Sequence, residues 1–410
     1  MIPVSRRIVP AVLLALAALL AMTASPDALS VRLSVRADAP AEAIEVFDQT
    51  TESRFRQSFV FRAGARSTAG DIVRARIIWT TRGGGTAQIA YPVTITRPAP
   101  ETSLAYTWNT RGQTTPPWQI MYYRWEVADS AGNVFRTPLT KAEIADNTRS
   151  WQQLSDGQVT VYWYDRDAAF GQTLFSVARQ GFDHVQRATG HTPDDELRIV
   201  MYNDQTAFCS FFAPGACQPW IAGVTFGSIT VQWLIDGDER FVMRQVVPHE
   251  LAHAFLADWM GGRISALPRW FNEGQAVNNE LDPPIQEIER ARALARTLEI
   301  ARLPLLDQSF LGERNNTRRV QDWYAQSASL VAFMYERWGL ESLGAIVDHV
   351  RQGQRFEQAL EAHTGLTLEG FELAWRTWLG VTSPPPTLFP TFAPVFPPTP
   401  TFIPTRTPSG

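Results

Sequence analysis

The sequence predicts a chain of two folded parts: an antiparallel β-sandwich, followed by an α+β unit with two lobes. Three observations carry this. Between residues 31 and 148, short apolar-polar alternations recur with turn residues between them and no convincing helical period. From residue 149 strand-like runs flank one amphipathic helix, and from Glu239 to about Leu379 the pattern is almost wholly helical. A length of 410 residues, 45% hydrophobic and 19% charged, is enough for a substantial core in each part.

Taken in order, residues 1–30 read as an export signal. Arg6 and Arg7 precede an apolar run from Ile8 to Met22, which is short for a membrane span. Once that segment is cleaved, no stable membrane span is expected; an uncleaved anchor is the alternative. Residues 31–148 supply the strand candidates SFVFRA, DIVRARIIWTT, QIAYPVTIT, SLAYTW and IMYYRWEVADSAGNVFRT. In YYRWEV the alternation is clearest, and DSAGN after it is a turn. Strands at this spacing suggest an immunoglobulin-like sandwich. It contains no cluster of titratable residues, so a scaffold or binding role is expected.

In residues 149–380, VTVYWY and ELRIVMYN read as strands on either side of a helix over Phe170–Thr189. Cys209 and Cys217, the only cysteines, are spaced to close a short disulfide loop in an exported chain. GVTFGSITVQWL is strand-like throughout. Residues 381–410 are rich in proline and threonine and are expected to be extended and disordered. The net charge of −4 provides no basic surface for nucleic acid.

The chemistry concentrates in Val246–Leu256, VVPHELAHAFL. On a helix, residues four apart share a face, so His249 and His253 can aim both imidazoles at one point. Glu250 is turned by about 100° from His249 and can instead reach a water held at that point. A hydrolytic zinc site needs a third protein ligand and one open position. Glu273, in LPRWFNEGQAVNNE, follows His253 by twenty residues. A carboxylate in so apolar a run needs a charged partner, which zinc supplies. Pro248 should begin or kink the helix, and Asn278 and Glu280 could orient a histidine but read more readily as solvated helix residues. His184, His191, His349 and His363 lack spaced partners and read as ordinary residues.

HELAH followed by LPRWFNEGQA and DWYAQSASLVAFMYERWG resembles the gluzincin clan of zinc metallopeptidases, which includes thermolysin and the thermolysin-like aminopeptidases, and most closely the bacterial peptidase MA-like group. The likeness covers roughly residues 150–380. It implies a zincin-type metallopeptidase domain, with His249, His253 and Glu273 holding Zn²⁺, Glu250 as general base towards the zinc-bound water, and Tyr324 as the donor that stabilises the oxyanion; Tyr335 is expected to pack. The substrate implied is a protein or peptide, lying along an edge strand within AGVTFGSITVQW. Thermolysin-like aminopeptidases carry G-x-M-E-N there, whereas GSITVQW has no acidic residue, which favours an endopeptidase. The competing readings are a non-catalytic binding protein with a structural zinc site, and a hydrolase of cell-wall peptide cross-links.

Overall fold

The alternating segments of the N-terminal part form two antiparallel sheets. The computed structural model describes residues 43–81, 89–218, 221–308 and 317–381, and these described residues belong to one compact unit. The expected export signal and the Pro/Thr-rich tail lie outside the described residues. Strands β1 (Ile44–Arg54), β2 (Ser58–Ser67), β3 (Ile72–Thr80), β4 (Ile89–Val93), β5 (Glu101–Asn109), β6 (Gln119–Asp129), β7 (Val134–Arg136) and β8 (Thr140–Ile144) pair in the orders β1-β2-β5 and β4-β3-β6-β7, with β8 also on β6. Phe59, Phe61, Ala63 and Ala65 of β2 face the same core as Met121, Tyr123, Trp125 and Val127 of β6. The Phe61 and Tyr123 rings meet edge-on at 5.1 Å. In the predicted turn, Asp129 Oδ1 accepts the backbone N–H groups of Ala131 and Asn133. Strands β1 and β8 escaped the sequence pattern; β1 is an edge strand with a bulge between Phe47 and Thr50, so its alternation is broken.

The second part opens with β9 (Gln152–Ser155) and β10 (Val159–Trp163), then helix α1 (Ala168–Thr189), β11 (Leu197–Tyr202), the short α2 (Gln205–Cys209), β12 (Gly223–Phe226) and β13 (Ile229–Trp233). Asp167 caps α1, its side chain accepting the Phe170 N–H. The sheet runs β12-β13-β11-β10-β9, with β10, β11 and β13 parallel and both outer strands antiparallel to their neighbours. Both faces are covered, which explains the unbroken apolar runs. Val159, Val161, Leu197, Ile199 and Met201 face a core shared with α1. Tyr162, Val200 and Tyr202 face the other way, into the core of the N-terminal sandwich. Trp118 stacks on Tyr162 at 4.5 Å, and Arg198, buried, donates to the Trp118 carbonyl and pairs with Glu143. One core therefore spans both parts.

The remainder is helical: α3 (Glu239–Phe241), α4 (Val247–Trp259), α5 (Arg269–Asn278), α6 (Ile285–Arg296), α7 (Thr317–Trp338), α8 (Ser342–Arg351), α9 (Phe356–Thr364) and α10 (Leu368–Trp378). Helix α4 is buried nearly all round. Its Leu251 and Phe255 belong to the core under the sheet, while Leu256 and Trp259 belong to the core of the later helices. The α-helix begins one residue before Pro248, which stands in its first turn, as expected. A π-turn over Val242–Val246 leads into it without interruption. Pro248 has no N–H to offer the Arg244 carbonyl, and Leu281 donates to that carbonyl instead, at 2.9 Å.

Among the described residues, no helix is long and apolar enough to cross a membrane. Cys209 and Cys217 form the expected disulfide. Closing a loop this short stabilises the fold by about 2.5 kcal/mol on the chain-entropy model. The loop is further tied to the sandwich, Thr115 N–H donating to the Phe211 carbonyl and Ala213 N–H to Thr114 Oγ1.

Candidate metal centre

Helix α4 places His249 and His253 one turn apart, with their Nε2 atoms 3.2 Å from each other. Helix α5 brings Glu273 to the same point: one of its oxygens lies 3.4 Å from His249 Nε2 and 3.3 Å from His253 Nε2. The three form a group that could hold a metal ion, their ligand atoms all within 4.8 Å of one another.

What orients them is a second set of residues. Glu280 accepts from His249 Nδ1 at 3.0 Å, and Asn272 Oδ1 faces His253 Nδ1 at 3.0 Å. With each Nδ1 engaged by an acceptor, each neutral ring presents a lone pair at Nε2. Once His249 gives up its proton, two nitrogen lone pairs and a carboxylate oxygen converge with no donor among them, and that Glu273 oxygen is buried without a hydrogen bond. Such an arrangement fits a cation. Asn278 and Glu280 read in sequence as solvated residues, but Glu280 orients His249. Asn278 instead ties α5 to α7, donating to the carbonyls of Gly274 and Ala328.

Two close approaches set the geometry. At Gly274, an added Cβ would overlap the Ser327 carbonyl oxygen, so only glycine lets α5 lie this close to α7. That contact carries Tyr324, one turn before Ser327, to the centre: its ring lies 6.3 Å from that of His249. Asp307 accepts the first two N–H groups of α5, from Arg269 and Trp270, at 2.7 and 2.9 Å, and fixes the start of the helix that carries Glu273. Tyr335, as expected, packs against the helical core.

Glu250 is buried beside the group, its carboxylate accepting from Thr225 Oγ1 at 2.6 Å. Thr225 sits on β12, and here a sequence expectation needs correcting. AGVTFGSITVQW is a hairpin, not one strand: GVTF is the edge strand, whereas ITVQW, β13, lies inside the sheet with both sides paired. The comparison with G-x-M-E-N therefore belongs to GVTF, which is equally without an acidic residue.

The electrostatics follow from burial and pairing. Burial alone would lower His249, but the carboxylates of Glu273 and Glu280 beside it outweigh this and push it up to about 10. His253 is raised too, Glu273 overcoming its burial. Glu273, despite burial, is held well below the usual carboxylate range by the two rings. Burial raises Glu280 against the pull of His249. Without metal, His249 therefore holds a proton up to about pH 10 that an entering cation must displace. Zinc titrated into the protein at pH 7, in buffers of differing ionisation enthalpy, will register proton release, and affinity will weaken as pH falls. The folded value lies above the unfolded 6.5, so these ion pairs stabilise metal-free protein fully below pH 6.5 and are lost as pH rises through about 10. Its Tm will fall across that window. A flat Tm and no proton release would contradict this electrostatic picture.

A family model described as the Peptidase MA superfamily matches residues 177–381, half of the 410-residue chain. The chain belongs to the Peptidase MA superfamily. The match spans α4, α5 and α7, the three helices that build the centre. Superfamily membership supports a peptidase, and the His249–His253–Glu273 group supports metal dependence. No curated protein matches the chain. Among solved structures, the sulfane dehydrogenase SoxCD from Paracoccus pantotrophus is 19% identical over 21% of this chain and 20% of its own, with a TM-score of 0.16. The Legionella pneumophila aminopeptidase A, in complex with aspartic acid, is 10% identical over 82% of this chain and 50% of its own, with a TM-score of 0.35. This chain thus spans a fifth of the first structure and half of the second.

Proposed function

We propose that the chain is a secreted zinc endopeptidase of gluzincin type, acting on extracytoplasmic protein or peptide. The observation that carries this reading is the convergence of two Nε2 lone pairs and the Glu273 oxygen, each ring held from behind by Glu280 or Asn272. Two imidazoles and one carboxylate are the donor set of a catalytic zinc site, whereas calcium and magnesium prefer oxygen ligands. Bound zinc supplies Lewis acidity, which polarises the scissile carbonyl and acidifies water. The rest falls to the chain. Glu250 takes the proton from the attacking water and delivers it to the leaving amine. Tyr324 donates to the developing oxyanion: burial and the carboxylates of Glu273 and Glu250 hold its hydroxyl well above the ordinary tyrosine range, so it remains a donor.

Strand β12 ends its sheet among the described residues, so its outer edge can pair with an extended substrate backbone. GVTF offers no carboxylate to hold a free amino terminus, which supports endopeptidase over aminopeptidase action. The Cys209–Cys217 disulfide and the apolar run at residues 8–22 support export to an oxidising compartment. Strand orders β1-β2-β5 and β4-β3-β6-β7 support an immunoglobulin-like sandwich.

The test is metal analysis beside proteolysis. Protein comprising residues 31–410 will carry one zinc and cleave casein; chelation will abolish cleavage, and zinc will restore it. Protein that binds zinc yet cleaves neither casein nor a peptide library would instead be a binding protein with a structural site.

A further inference from the structure

Strand β12 does more than border the sheet. Gly223 and Thr225, two residues apart on one face of the strand, both meet Glu250 of α4, while Val224 and Phe226 turn the opposite way into the shared aromatic core. The Thr225 hydroxyl lies 2.6 Å from Glu250 Oε2 and 3.0 Å from the Glu250 carbonyl oxygen. It has one proton to give, and the charged acceptor is the stronger. At Gly223 an added Cβ would stand 2.8 Å from both Cγ and Oε1 of Glu250. One carboxylate oxygen is thus held by a hydroxyl, and the other rests where only glycine leaves room.

We infer that Thr225 is a positioning residue for Glu250, and that Gly223 provides the space this position requires. The inference rests on the peptidase reading and extends it: the strand that would bind substrate backbone also fixes the side chain that moves the proton. Glu250 has several rotatable bonds, and a general base must be placed to within about 0.5 Å to act efficiently. The rotamer held by Thr225 spares the reaction that ordering. Because Thr225 and Gly223 lie on the strand itself, a shift of β12 moves the base with it.

The experiment compares Thr225→Val, which keeps shape and loses the hydroxyl, with Thr225→Ser, which keeps the hydroxyl. Steady-state kinetics use a peptide identified in the library digest. Thr225→Val will lower kcat by about 10- to 100-fold, the range for a lost hydrogen bond to a charged group. KM will stay within about twofold, as for a contact that acts only in the transition state. Zinc content will be unchanged, and Thr225→Ser will recover most of the rate. Gly223→Ala, which pushes on the carboxylate from the other side, will show the same fall in kcat with zinc retained.

Parental kcat in Thr225→Val or in Gly223→Ala overturns the inference, as does a fall in Thr225→Val that Thr225→Ser does not recover. Should Thr225→Val fail to fold, the serine and Gly223→Ala variants decide in the same way. If the parent protein cleaves nothing, it is the peptidase reading that fails, and crystal structures of the zinc-loaded variants still decide this point. A Glu250 carboxylate displaced by more than about 0.5 Å in Thr225→Val supports the positioning role, and an unmoved one refutes it.

Discussion

Glu250→Gln will lower kcat by about 10²- to 10⁴-fold while zinc binding persists, the range expected when a general base is removed. The substitution is nearly isosteric, so the packing against Gly223 survives, and the glutamine carbonyl can still accept from Thr225 Oγ1. Only the ability to take a proton is lost. Zinc should stay because Glu250 is not among the converging ligand atoms. The measurement is kcat on casein-derived peptide together with zinc content. A glutamine variant as active as its parent would remove Glu250 from the mechanism, and loss of zinc in that variant would mean the carboxylate holds the metal.

Deleting residues 43–146 will leave the remaining chain unable to fold. The sheet's second face, through Tyr162, Val200 and Tyr202, shares a core with β2, β3 and β6. Tyr162 would lose its stacking on Trp118; Arg198, buried, would lose Glu143 and the Trp118 carbonyl. The disulfide loop would lose Thr114 and Thr115, and Tyr202 its bond to Asp146. Uncovering Tyr162, Val200 and Tyr202 at about 1.5–3 kcal/mol each removes about 4.5–9 kcal/mol. A domain's whole stability is about 5–15 kcal/mol. Residues 147–381 expressed alone should therefore bind ANS, lack a cooperative melt and hold no stoichiometric zinc. A folded, zinc-loaded fragment would show that the sandwich is dispensable. The sandwich was expected to serve as scaffold or binding module, and its buried aromatic seam favours scaffold.

The two effects trace to different levels of information. The i, i+4 spacing of His249 and His253 needs only helix geometry, and Glu273 stands out as a carboxylate in an apolar run near a glycine. The residues that orient the two histidines follow from no local pattern. Asn272 sits in the same N-E-G triplet as Glu273, yet its contact with His253 depends on how α5 crosses α4. Glu280 reads in sequence as a solvated helix residue, yet it meets His249 where Leu281 beside it is anchored to the Arg244 carbonyl that Pro248 leaves free. No periodicity distinguishes Asn278, which joins two helices, from Glu280, which holds His249.

The sequence by itself determined most of the strands and helices and the shared face of His249 and His253, because both follow from repeats of two or about four residues along one chain segment. Only the tertiary structure decided which strand forms the edge, that Thr225 meets Glu250, and that sandwich and peptidase share a core. Each of these is a meeting of residues distant in sequence, set by packing volume and hydrogen-bond partners that local pattern does not encode.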